Sequence, residues 1–275
     1  MKRALLNILK YIFLLLIVLI SIGPILWVAL GSFKTNKELF SGGAFSLPSS
    51  LQFKNYIDAL KIAPIGKFFC NSMIICIGNT VLSILIVSCC AYVVARFDFK
   101  FKNAIVLIIS SVLLIPSQSI SQPIFALFKA LKLFDTKIGL ILVYLAFSIP
   151  VTFYIMRSYF LSIPRSIEES AYIDGAGFLK TYTRIIIPLA KPGLATAGIV
   201  QFLGSWNEFY FALVLTSGND ARTIPIALNY YTSQFSSNYP AMFSAVILTV
   251  IPTIIIFVLA QEQVVESLTA GAVKG

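Results

Sequence analysis

Six runs of about 20 apolar residues each set the terms for this 275-residue chain, at about 9–30, 68–95, 104–128, 138–156, 192–216 and 241–260. A bilayer core about 30 Å thick takes roughly 17–25 apolar residues of helix to cross. In lipid every backbone N–H and C=O must find a partner inside the protein, which leaves helices or closed barrels. Residues do not alternate at period two here, so a barrel is disfavoured. Composition agrees: 58% of residues are hydrophobic and 12% charged, against about 45–50% and about 25% in soluble domains. The expectation is an all-α polytopic membrane protein with six transmembrane helices.

The N-terminal stretch carries Lys2, Arg3 and Lys10 ahead of its apolar run, as a signal peptide does. That run continues to Leu30, beyond the usual h-region of about 7–15 residues. A retained first span is expected, with no soluble domain at either end. The net charge of +10 suits basic loops that set orientation better than nucleic acid. With both termini cytoplasmic, the basic residues divide twelve inside to nine outside, too even to fix the topology. Cys70, Cys76, Cys89 and Cys90 lack CxxC spacing, and the chain has no histidine. They read as small buried hydrophobes, and no metal site is expected.

One stretch breaks the apolar pattern. Residues 166–192, SIEESAYIDGAGFLKTYTRIIIPLAKP, hold three carboxylates, two nearby glycines and three basic residues. Pro164 should end the preceding element. Ser166 and Glu169 have the S-x-x-E spacing of a capping box, and Glu168 and Glu169 would lie in the first turn, where the helix dipole favours anions. This helix should run to about Asp174 and stop at Gly175, which can adopt positive φ. A second helical piece, 178–187, would carry Lys180 and Arg184 on one face and be closed by Pro188.

Glu169-Ser-Ala171, then Asp174-Gly175-Ala176, then Ile185-x-Ile187-Pro188 resembles the EAA loop of the membrane subunits of ATP-binding-cassette importers. Ser170 and Ile187 are small departures from the usual alanine and leucine. Further likeness to the sugar-importer permeases lies in Ser32-Phe-Lys-Thr35, Asn55-Tyr56, Arg96, Ile115-Pro-Ser-Gln118 and Gly204-Ser-Trp-Asn-Glu208. The ending, 268–275, is similar to the tail of the MalG-type subunit of maltose-class importers.

The resemblance implies a type I importer permease fold with a first span and extracytoplasmic loop at 1–67. A permease core would follow at 68–261, with the EAA loop at about 160–190, and then a cytoplasmic tail at 262–275. It implies a heteromeric machine: a second, MalF-like permease, two ATPase subunits that bind ATP and Mg, and an extracytoplasmic solute-binding protein. This chain has no G-x-x-x-x-G-K-[ST] motif to cradle phosphates and is expected to need no cofactor and catalyse no reaction of its own. ATPase coupling would fall to Glu168, Glu169, Ala171, Asp174, Gly175 and Ala176. Ala171 and Ala176 would permit close packing against the ATPase, and Thr269, Gly271, Lys274 and Gly275 would make a second contact.

Polar groups inside spans mark pathways or helix contacts. They are Asn79, Ser117, Gln118, Gln201, Trp206, Asn207, Glu208 and Tyr210, with Glu208 the only carboxylate within a span. Trp206 and Tyr210, four apart on one helix face, would present an aromatic platform beside Asn207 for a sugar. The other reading is that these groups tie helices to the partner permease. Ser117 and Gln118 follow Pro116, where a broken helix would open backbone to a water-filled cavity. Loop 31–67, with GGAFSLPSS, is flexible by composition and either meets the binding protein or is a plain connector. A non-sugar solute, such as an amino acid or phosphate ester, is the nearest alternative. An intramembrane enzyme and a self-sufficient channel fit the residues less well.

Overall fold

A computed structural model describes residues 2–43, 45–231 and 238–272, with side chains over 6–43, 45–231, 238–255 and at 258. The described residues form helices and no strands. In chain order these are α1 (Lys2–Ser32), α2 (Asn36–Ser41), α3 (Lys54–Ile62), α4 (Ile65–Arg96), α5 (Lys102–Val112), α6 (Ser121–Ala130), α7 (Lys137–Ser162) and α8 (Arg165–Ile173). Then come α9 (Phe178–Thr181), α10 (Ile187–Leu189), α11 (Lys191–Trp206), α12 (Tyr210–Leu215) and α13 (Tyr239–Ala272). Among the described residues, α1, α4 and α7 are each long and apolar enough to cross a bilayer, and two bent pairs raise the number to five. A further apolar helix covers Tyr239–Ile255.

Two compact units divide the chain: Met1–Gly66 with Ala227–Pro252, and Lys67–Ile226 with Thr253–Gly275. Residues 227–252 thus group with the N-terminal segment. In the first unit, a Cβ on Gly31 would lie 2.4 Å from the Phe243 ring, so only glycine admits that close approach. Trp27 meets the same ring edge-on at 5.2 Å. Asn55 donates to the carbonyls of Ser32 (2.8 Å) and Lys34 (2.9 Å), and the Ser32 and Tyr56 hydroxyls bond at 2.9 Å.

Among the described residues of loop 31–67, several hydroxyls serve as hydrogen-bond partners. Lys34, only 1% exposed, donates to the Ser46 hydroxyl at 3.0 Å. Thr35 and Glu38 form a capping box at the start of α2: Glu38 N–H donates to Thr35 Oγ1 (3.2 Å) and Thr35 N–H to Glu38 Oε2 (2.8 Å). Glu38 also accepts from the backbone N–H of Ser49 (3.1 Å) and from its hydroxyl. The Ser49 hydroxyl, followed by the Thr35 amide, pushes the Glu38 carboxyl down to about 2, from an ordinary value near 4.5. The lowered value means that this stabilisation is complete above about pH 4.5 and is lost as pH falls towards 2. Amide protection at Ser49, corrected for intrinsic exchange, is expected to decline over that window in the wild type and to be low and pH-independent in Glu38→Gln.

In the second unit, Val87, Ala91, Tyr92 and Ala95 of α4 pack with Phe153, Met156 and Phe160 of α7 and with Tyr182, Ile186 and Ala197. Gly193, Ala197, Gln201 and Ser205 are buried at four-residue spacing along α11, one face of a helix. A Cβ on Gly193 would stand 2.5 Å from the Tyr159 ring, so α11 approaches α7 as small-residue helix faces do in membranes. Asp135, at φ +57°, accepts backbone N–H bonds from Ser217 and Gly218 (both 3.0 Å) and donates its own to Leu215 (2.9 Å). This joins the start of α7 to the end of α12. The third apolar run is not one helix: α5 stops at Val112, a 3₁₀ turn covers Ser117–Ile120, and the two halves meet at 92°. The break stands where Pro116 pointed.

Candidate functional site

The charged module at 165–190 is built into the core rather than hung from it. Helix α8 follows Pro164 directly, so Ser166 already lies inside the helix and no side chain caps its N-terminus. The capping box expected at Ser166 and Glu169 is therefore absent; the chain forms that motif at Thr35 and Glu38 instead. The C-terminal signal holds. Gly175 has φ +78°, its N–H donates to Tyr172 O (3.0 Å), and Ala176 N–H reaches back to Ala171 O (2.9 Å), a Schellman motif.

Glu168 turns inward. Its Oε1 lies 2.6 Å from Arg96 Nε, with the two side chains 9% and 4% exposed. The N–H is not aligned for a hydrogen bond, so this contact is an ion pair. Arg96 also donates through Nη2 to the carbonyl of Ile163 at 2.8 Å. Above the pair, Tyr92 contacts Phe160, Phe178 and Tyr182 at 5.4, 5.8 and 5.0 Å, and Ser88 bonds the Tyr182 hydroxyl at 2.9 Å. The end of α4, the end of α7 and the 165–190 module thus share one buried cluster.

Of the coupling candidates, Glu169, Asp174 and Gly175 are exposed, whereas Glu168, Ala171 and Ala176 are buried within this chain. Ala171 and Ala176 therefore serve internal packing and offer no surface to a partner. The outward apolar groups are Tyr172, Ile173 at 87% exposure, and Leu179. Pro188 does not close the second helical piece. The chain runs through a π-helical turn, Tyr182–Ile186, and α10 to Leu189, then bends by 75° into α11. Pro188 lacks the amide that the Arg184 carbonyl would accept from in α-register, and the wider turn sits over those residues.

A second polar group of residues lies within the spans. A cavity of about 240 Å³ is lined by Asn79, Ser117, Tyr144, Ser148, Gln201 and Glu208, with Phe147 and Phe211 stacked at 5.0 Å alongside. Asn79 donates to Ser205 Oγ (2.7 Å) and Gln201 weakly to Ser148 O (3.5 Å). The Ser83 and Ser148 hydroxyls bond each other. Glu208 accepts three bonds: from Tyr144 OH (2.7 Å), Phe211 N–H (2.7 Å) and Ala212 N–H (3.1 Å). It caps α12 and pins it to α7. These hydrogen bonds run within this chain.

Trp206 and Tyr210 do not share a helix face, because α11 ends at Trp206 and α12 starts at Tyr210. Trp206 is 2% exposed and packed on Phe202 and Phe69, so it offers no open stacking surface. Tyr210 bonds Ser121 at 2.9 Å, and Asn207 bonds the carbonyl of Leu203 at 2.9 Å. Ser117 lines the cavity and Gln118 does not. Of the four cysteines only Cys76 is buried. Thr269 and Gly271 lie in the backbone of α13; Lys274 and Gly275 lie outside the described residues. Tyr144, Ser148, Ser205 and the Arg96 partner of Glu168 went unnoticed in the sequence, although the four-residue spacing of Gly193, Ala197, Gln201 and Ser205 was a signal for Ser205.

Residues 87–269 match the family described as "Binding-protein-dependent transport system inner membrane component". The chain belongs to this family. Among curated relatives, the diacetylchitobiose uptake system permease protein NgcG of Streptomyces coelicolor is 35% identical over 257 residues, 93% of this chain and 85% of that one. The trehalose transport system permease protein SugB of Mycobacterium tuberculosis is 34% identical, covering 92% of each chain. The arabinooligosaccharides transport system permease protein AraQ of Halalkalibacterium halodurans is 34% identical, over 94% of this chain and 93% of its own. A solved bacterial transporter involved in import of the acidic polysaccharide alginate has the same fold, with TM-score 0.83, 23% identity, and 95% and 97% of the two chains covered. The family member described here is a multi-pass α-helical membrane protein with the type I importer permease fold.

Proposed function

We propose that this chain is the permease subunit of an ATP-driven importer that carries a di- or oligosaccharide across the cytoplasmic membrane by alternating access. The observation that carries the reading is α8: a short helix, exposed at Glu169, Tyr172 and Ile173, locked to the ends of α4 and α7 by Arg96–Glu168. A force applied to its outer face moves two spans with it. The permeases named above, for diacetylchitobiose, trehalose and arabinooligosaccharides, favour a sugar over an amino acid or phosphate ester.

The partners in this reading are a second permease, two ATPase subunits and an extracytoplasmic solute-binding protein. ATP and Mg sit on the ATPases, and the chain itself is not an enzyme. Both termini face the cytoplasm, as does α8. ATP binding must favour one cavity orientation, and a swing from 1:99 to 99:1 needs about 5.5 kcal/mol of differential affinity, which the nucleotide sites supply through α8.

Deleting the gene in its host and measuring uptake of radiolabelled trehalose, diacetylchitobiose and arabinooligosaccharides tests this. Loss of uptake of one saccharide, with glycerol phosphate and amino acid uptake unchanged, is expected. Loss of amino acid or phosphate ester uptake instead would reject the sugar assignment.

A further inference from the structure

We infer that the cavity between α4, α7, α11 and α12 is a subsite for one neutral sugar ring, so that this subunit itself holds part of the substrate in transit. The inference rests on the importer reading above and adds where the cargo binds and what chemistry it must have. Asn79 is 1% exposed and lines the cavity; its Nδ2 is used on Ser205, while its Oδ1 has no hydrogen-bond partner among the described residues. A buried acceptor left bare is costly, and a ligand hydroxyl satisfies it. Gln201 makes only one weak bond, at 3.5 Å, so its amide is available as well.

Volume and charge narrow the ligand. About 240 Å³ is less than the roughly 300–1,000 Å³ of drug-sized sites, so one ring fits and a whole oligosaccharide does not. Among the described residues no basic side chain lines the cavity, and the Glu208 carboxylate already accepts three bonds. An acidic sugar or a phosphate ester would therefore enter without a cation to meet it. Phe147, partly exposed and backed by the buried Phe211 ring at 5.0 Å, adds the apolar surface that a sugar's C–H face takes. Gly204 is the way to test this. It lines the cavity, and a Cβ there meets nothing within 4 Å, so a larger side chain fills the space without pushing on the fold.

The experiment uses the full chain in the native membranes of its host, together with its partner subunits. Gly204→Cys is labelled with a neutral methanethiosulfonate reagent, and the native cysteines give the background. Trehalose, diacetylchitobiose, arabinobiose and glycerol 3-phosphate are tested as protectants, and uptake is followed in parallel. The expected result is protection by the saccharide that the cells take up and none by glycerol 3-phosphate. Protection weakens in an Asn79→Leu background, where KM rises roughly three- to tenfold. Gly204→Leu should cut uptake by tenfold or more with normal assembly. Intact saccharide uptake with no protection, or with Gly204→Leu fully active, would overturn the subsite and leave the importer reading standing. Absence of any saccharide uptake by the assembled complex would overturn both.

Discussion

Glu168→Leu should destabilise the chain by about 3–5 kcal/mol, the cost of leaving one partner of a buried ion pair without the other. Arg96 would keep its bond to Ile163 but hold an uncompensated charge at 4% exposure. The double variant Arg96→Met/Glu168→Leu should recover most of the loss, because matched apolar groups often replace a buried pair at little cost. Glu169→Gln, one residue along and exposed, should change stability by no more than about 0.5 kcal/mol. Thermal unfolding of the purified chain in detergent measures all three. A Glu168→Leu protein as stable as wild type would show that the pair does not hold α8.

Glu208→Leu should be comparably damaging, for a different reason. It strips the acceptor from Tyr144 OH and from the N–H groups of Phe211 and Ala212, inside a span where water is scarce. Each donor left bare costs about 1–3 kcal/mol, less whatever local rearrangement recovers. Glu208→Gln keeps an acceptor oxygen and should fall between wild type and leucine. A protease-accessible site appearing between α11 and α12 in the leucine variant, and not in the glutamine variant, is the expected signature. Equal behaviour of the two variants would contradict a capping role.

The apolar runs placed the spans because the bilayer demands length and hydrophobicity, which are plain in a sequence. The stop at Gly175 was legible too, since positive φ is a local demand that glycine meets. Pairing was not. Ser166-x-x-Glu169 and Thr35-x-x-Glu38 have the same spacing, yet only the second forms a capping box, because α8 starts right after Pro164, two residues too early for the first. Likewise, four residues separate Trp206 from Tyr210, but the break at 207–209 puts them on different helices. The inward turn of Glu168 depends on Arg96, 72 positions away, and nothing local announces a partner at that distance.

In the proposed importer, α8 is the contact through which an ATPase drives this permease. The most direct measurement is to purify the tagged full-length chain gently from native membranes, beside an Ile173→Asp variant, and identify what accompanies each. Ile173 is 87% exposed on α8, so the substitution leaves the fold alone. The expected result is a second permease and an ATPase with the wild type, and the second permease without the ATPase in the variant. A wild-type chain that emerges alone, or an Ile173→Asp chain that retains its ATPase and full uptake, would contradict it.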